Sequence, residues 1–203
     1  MSWNTAAAAT LENEHVLLSP LTEEHRASLH GIALDPDIWD YFVSRVDTDE
    51  DYAQFFDTAL ADHRAGRRVV FHITDKRTGR AAGSMCFGNM AEADRRLEIG
   101  WSWLGRDARG TGVNRRAKLL MLRHAFETLG AERVEFKTDV LNERARRALG
   151  NIGAVEEGVL RSFNYMPGGR RRDAVYYSVL RAEWPDVERR LAGQEAAPAA
   201  AAR

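Results

Sequence analysis

The stretch that most constrains the fold is Arg109-Gly110-Thr111-Gly112-Val113-Asn114, set between two strongly patterned segments. Upstream, Leu97-Glu98-Ile99-Gly100-Trp101-Ser102-Trp103-Leu104 is apolar at every second position, which predicts a strand. Alternation puts Leu97, Ile99, Trp101 and Trp103 on one face and Glu98, Gly100 and Ser102 on the other. Downstream, a helix is predicted over 114–129. It holds no Gly or Pro before Gly130, and Arg116, Arg123 and Glu127 share one narrow stripe. Such a helix is largely buried against a sheet. Strand, glycine turn and helix turn backbone N–H groups toward an anion at the helix N-terminus. A phosphate-bearing cofactor is therefore the leading expectation. The plain alternative is a connection that needs glycine only for positive φ.

Two commoner phosphate motifs fail here. Gly105 and Gly110 have Walker A spacing, but the lysine is missing. Gly110-Thr111-Gly112 begins a dinucleotide fingerprint, but its sixth position is Arg115 rather than Gly. What remains is Arg-x-x-Gly-x-Asn at a helix start.

Composition narrows the class. A chain of 203 residues predicts one domain able to bury a core without staples. The 29 Lys and Arg nearly cancel the 30 Asp and Glu, which argues against a nucleic-acid binder. One cysteine, Cys86, allows no internal disulfide and fits a reducing compartment. No apolar run approaches the roughly 20 residues that span a bilayer, and Met1–Thr10 makes a poor signal peptide. A soluble cytoplasmic domain is expected. The six histidines have no ligand spacing, so no metal site is expected.

Along the chain, His15–Leu18 reads as a strand, and a helix follows from Thr22 to about Asp35-Pro36. Trp39–Val43 is a short helix or loop over the core. Thr48 opens a helix carrying Tyr52, Phe55, Phe56, Ala59 and Leu60 at helical spacing. Val69–Thr74, Ala81–Phe87 and Leu97–Leu104 form an antiparallel meander. After the long helix come a strand over Val134–Thr138, a helix over Asn142–Ile152 and a strand over Ala154–Arg161. Met166–Arg172 is read as a hairpin loop with a basic tip, before a last strand over Ala174–Leu180. The Ala/Pro-rich tail, residues 193–203, is expected to be disordered.

This order of elements resembles the GNAT superfamily of acetyl-CoA-dependent N-acetyltransferases, over about residues 12–190. The similarity is greatest to its RimJ/RimL-like branch, which acetylates ribosomal-protein N-termini. Glu98-Ile99-Gly100-Trp101, Arg109–Asn114, Asn142-Glu143-Arg144, Gly153-Ala154 and Tyr177-Ser178-Val179 carry the likeness. The family's loop is Gln/Arg-x-x-Gly-x-Gly/Ala, so Asn114 is the one departure.

The resemblance implies a single α/β (α+β) domain with a mixed, mostly antiparallel sheet, splayed where acetyl-CoA enters. It implies acetyl transfer to a primary amine by direct attack on the thioester. A protein N-terminal α-amine is the expected acceptor. A small-molecule amine, or a non-catalytic acyl-CoA-binding role, is the alternative. The amides of Gly110, Thr111, Gly112, Val113 and Asn114 would take the pyrophosphate, with charge from Arg109 or Arg115. The strand end at Trp103-Leu104 would bind the pantetheine arm, as would Asn142, which also suits a helix N-cap. Glu98 is the expected base, its alternative being an ion pair with Arg95, Arg96 or another Arg. The serine common three residues after the asparagine is Ala145 here. Tyr177 is the candidate acid, with Tyr176, Ser178 or water as substitutes. A homodimer is also implied as an option. Arg170-Arg171-Arg172 reads as a solvated turn, or as a clamp for an acidic partner or a second subunit.

Overall fold

The structure is a computed structural model that describes residues 3–193. Eight strands form one sheet: β1 (Leu11–Glu12), β2 (Val16–Pro20), β3 (Val69–Asp75), β4 (Arg80–Ala91), β5 (Arg96–Leu104), β6 (Arg133–Asp139), β7 (Val155–Tyr165) and β8 (Arg171–Leu180). Their spatial order is β1-β2-β3-β4-β5-β6-β8-β7. Among the described residues only β5 and β6 run parallel; the other neighbours are antiparallel. The helices are α1 (Trp3–Ala7), α2 (Arg26–Ala33), α3 (Asp49–Arg64), α4 (Val113–Arg123), α5 (Glu143–Ile152) and α6 (Trp184–Gly193).

Each face of the sheet has its own core. Leu97, Ile99, Val134 and Phe136 pack with Ala117, Met121 and Leu122 of α4 and with Val187 and Leu191 of α6. Val70, Cys86 and Trp103 pack on the other face with Leu29 of α2, Tyr52 and Phe56 of α3, and Trp39. The capping sequence around α3 behaves as its residues predict: the Thr48 side chain accepts from the Asp51 amide, and the Asp51 carboxylate accepts from Thr48 N–H. The predicted buried helix continues past α4 as a π turn over His124–Thr128.

Three elements escape the sequence patterns. Trp3 and Ala7 of α1 join the main core, and His124 bonds the Ala6 carbonyl at 2.9 Å. The two-residue β1 and the helix α6 are likewise unpredicted. The tail expected to be disordered lies, beyond Gly193, outside the described residues.

The hairpin reading of residues 166–172 needs correction. Strand β7 extends to Tyr165 and β8 starts at Arg171, leaving a short turn over Pro167–Gly169. Arg170 pairs with the buried Asp139, Arg171 bonds Ser162, and Arg172 is buried. Arg170 and Arg171 are exposed, as a solvated turn implies, and only Arg172 departs from that reading.

Candidate active site

The meander shapes the site through a break in its own alternation. Ser84 of β4 pairs with Trp103, but Cys86 pairs with Gly100. Strand β5 thus holds one extra residue, a β-bulge, and Trp101 takes φ 48°. The bulge exchanges faces. Leu97 and Ile99 stay in the α4 core, whereas Trp101 and Trp103 join the α2–α3 core. Strict alternation, which placed all four on one face, fails for that reason. Gly83 permits the close approach: a Cβ there would stand 2.1 Å from the Trp103 carbonyl oxygen.

Past the bulge the sheet opens. The β5–β6 register ends at Glu98 opposite Glu135, and the strands then diverge. A cavity of about 600 Å³ fills the gap. One wall is Asn114 and Lys118 of α4 with Asn142 and Ala145 at the start of α5; the other is Glu98, Lys137, Phe163, Asn164 and Arg172.

Glu98 is 4 % exposed. Its Oε2 accepts from Asn89 Nδ2 at 2.7 Å and from Lys137 Nζ at 3.4 Å. Neither Arg95 nor Arg96 is its partner; they pair with Glu132 and with Asp94 and Glu135. The remaining oxygen lies over Gly100, where a Cβ would stand 2.8 Å from Oε1. A mid-strand carboxylate thus has one oxygen held by an amide and an ammonium, and one facing space that a missing side chain leaves.

The glycine turn fits an anion. Gly112 caps α4 with φ 88°, a conformation that strains other residues. Among the described residues, the amides of Gly112, Val113 and Asn114 donate to no protein acceptor. Gly110 and Asn114 line the cavity, so these donors and the helix dipole meet it. Val113 supplies only backbone, since its side chain is in the core; the Thr111 hydroxyl donates to Ala108 O at 2.8 Å. Arg109 lines the cavity but braces the turn, donating to Leu104 O at 3.0 Å and to Asp35 at 3.2 Å. Arg115 leans away to the Leu191 carbonyl. Trp103 and Leu104 both line the cavity, as expected of the strand end.

Asn142 is the expected N-cap and also stands at the cavity. Its Oδ1 accepts from Ala145 N at 3.0 Å, capping α5, while the residue lines the cavity. Tyr177 is displaced from its expected place. It faces the α-helical core, donates to Glu156 at 2.6 Å, accepts from Arg146 and does not line the cavity. Burial and the Glu156 bond push its pKa up. Ser178 is tied to Glu157, and Tyr176 packs on Phe163; neither lines the cavity. For Tyr177 strand parity decides: residues 177 and 98 lie on opposite faces.

Lys118 was missed by sequence reasoning. It sits four residues after Asn114, on the same helix face, and is 8 % exposed. Among the described residues it makes no hydrogen bond or ion pair, and burial lowers its pKa to about 8. The available signal was a lone lysine within the otherwise apolar Ala117–Leu122 run.

A sheet parted between parallel strands, with a helix N-terminus at the opening and a carboxylate across it, can receive a phosphate-bearing substrate beside a proton acceptor. The model of the acetyltransferase (GNAT) domain matches residues 15–155, and the chain belongs to that family. It is 35 % identical over 106 residues to YdaF of Bacillus subtilis (strain 168), named a putative ribosomal N-acetyltransferase. That alignment spans 52 % of this chain and 57 % of YdaF, so the chain matches little more than half of that relative. The crystal structure of an acetyltransferase from T. thermophilus, also named putative, is 37 % identical with a TM-score of 0.83, covering 91 % of this chain and 96 % of that one. RimJ of Mycobacterium smegmatis, solved with CoA-disulfide, shares the fold at 22 % identity and a TM-score of 0.78, over 94 % and 96 % of the two chains.

Proposed function

We propose that this protein transfers an acetyl group from acetyl-CoA to a primary amine, the acceptor being a protein N-terminal α-amine. The observation that carries the reading is one cavity with free amides at its α4 wall and the Glu98 carboxylate at the other. The name of YdaF supports the acceptor class.

Acetyl-CoA supplies an activated thioester. The residues of this chain do the rest. The amides of Gly110–Asn114 and the Lys118 ammonium hold its phosphates, and the strand end at Trp103-Leu104 and Asn142 hold the pantetheine arm. Glu98 takes a proton from the amine, directly or through water, as nitrogen bonds to the acyl carbon and the carbon–sulfur bond breaks. Asn89 and Lys137 keep that carboxylate in place. Ala145 brings no hydroxyl to the departing sulfur, and none of Tyr176, Tyr177 and Ser178 reaches the cavity. In this proposal water takes the part of the acid that protonates the thiolate. Among the described residues no helix is long and apolar enough to cross a membrane. A cytoplasmic setting belongs to this proposal, supported by a single, buried thiol at Cys86.

Calorimetric titration with acetyl-CoA, CoA and ATP tests the site. Micromolar binding of the first two, with ATP much weaker, is expected. Mass spectrometry of N-terminal peptides incubated with enzyme and acetyl-CoA then tests transfer. Binding with no amine acetylated across a broad panel would return the protein to an acyl-CoA-binding role.

A further inference from the structure

The acceptor wall of the cavity holds a buried charge that makes no hydrogen bond or ion pair among the described residues. Arg172 of β8 is 4 % exposed and lines the cavity. Among the described residues its guanidinium makes no hydrogen bond or ion pair, and Nε is buried without a partner. The nearby acids are taken. Asp139 accepts from the Leu141 amide and pairs with Arg170, and Glu98 is held by Asn89 and Lys137. A guanidinium does not shed its proton near neutrality. Leaving it buried and unpaired is costly unless a ligand completes it.

A second orphan stands beside it. Asn164 of β7 is the register partner of Arg172. Its Nδ2 donates to Tyr165 O, and its Oδ1 is buried with no donor. Phe163, next to Asn164 in sequence, packs on Tyr176 with ring centroids 5.9 Å apart, and Lys137, which donates to Glu98, holds its Nζ over both rings. The wall therefore carries a carboxylate at Glu98, the Phe163 ring and an unpaired cation at Arg172.

We propose that Arg172 and Asn164 anchor a carboxylate on the acceptor, so that the preferred substrate is an amine bearing a carboxylate close by. The planar guanidinium takes both carboxylate oxygens, and the Asn164 oxygen takes an N–H of the same molecule. The amine then falls at the Glu98 end, and a zwitterion matches the polarity of the wall. A neutral carbonyl would satisfy Nε but leave the charge. Burial lowers the pKa of Arg172, which an anion would reverse. This chemistry has two sources, a free amino acid or an acidic residue at a peptide N-terminus.

The inference rests on the acetyl-transfer reading, and one assay separates the two. Wild-type kcat/KM is measured for matched acid and amide acceptors: free amino acids against their α-carboxamides, such as glycine against glycinamide, and peptides starting with Asp or Glu against Asn or Gln. The acids should lead by roughly 10- to 100-fold, the usual gain from a charge-assisted pair. Preference among free amino acids or among peptides identifies the source. Arg172→Gln should bring the acid-to-amide ratio toward one, Arg172→Lys should retain part of it, and Asn164→Asp should raise KM for acids selectively. Equal rates for acids and amides in the wild type, which needs no variant, overturn the anchor while transfer stands. No transfer to any amine overturns both.

Discussion

Replacing Lys118 by Met should make the protein more stable and a weaker binder of acetyl-CoA. The folded chain buries this ammonium with no partner among the described residues, and its pKa drops from 10.5 to about 8. Each pKa unit is about 1.4 kcal/mol, so holding the charge costs the fold about 3 kcal/mol below pH 8. Methionine keeps the apolar bulk of the stem without the charge. A gain of roughly 1–3 kcal/mol at pH 7 is expected. The sign has a pH signature. Above pH 8 the folded lysine loses its proton while the unfolded one keeps it to 10.5, so wild-type stability rises across that interval. The advantage of the variant should therefore shrink from pH 8 and vanish near 10.5. Urea denaturation of both proteins at several pH values reads this difference, in which the other titrating groups cancel. Calorimetry should show weaker acetyl-CoA binding by the variant and, for the wild type near pH 9, proton uptake on binding. A variant no more stable at pH 7, or an advantage that stays constant to pH 10.5, would refute the argument.

Glu98→Gln should lower kcat by roughly 10²- to 10⁴-fold with little change in acetyl-CoA affinity, checked by steady-state kinetics and calorimetry. Gly100→Ala places a methyl 2.8 Å from Glu98 Oε1, so it should cut kcat while circular dichroism and melting stay near wild type; full activity would show that Oε1 needs no space there. Asn142→Ala removes the α5 cap and should cost about 1 kcal/mol in denaturation, with a raised acetyl-CoA dissociation constant as the separate ligand readout. Burial pushes the Cys86 thiol up to about 12, so the native protein should resist alkylating reagents that modify it rapidly in urea.

Much of the site was legible as local pattern. Gly110-Thr111-Gly112 before an apolar helix marks a strand–turn–helix, because positive φ and free amides are backbone properties carried by a few adjacent residues. Thr48 and Asp51 announce α3 for the same reason. Glu98 stands out because a charge interrupts an apolar strand.

Where the reading failed, distant residues decided. The bulge that moves Trp101 and Trp103 across the sheet depends on Gly83 in the neighbouring strand. Tyr177 looked available as an acid, but the β6–β8 register fixes it opposite Phe136, on the face away from Glu98. Arg172 looked like a loop residue because Pro167-Gly168-Gly169 suggests a wide turn, while pairing with Asn164 draws it into the sheet.

The sequence by itself determined most of the elements, the glycine turn and the family. These rest on periodicity, capping and φ preference, which act over a few residues. Only the tertiary structure decided which side chains share the cavity: Glu98 with Lys137 rather than an arginine, and Lys118 and Arg172 as buried cations without partners among the described residues. Burial and ion pairing are properties of space, set by which strands neighbour one another and where β5 and β6 part.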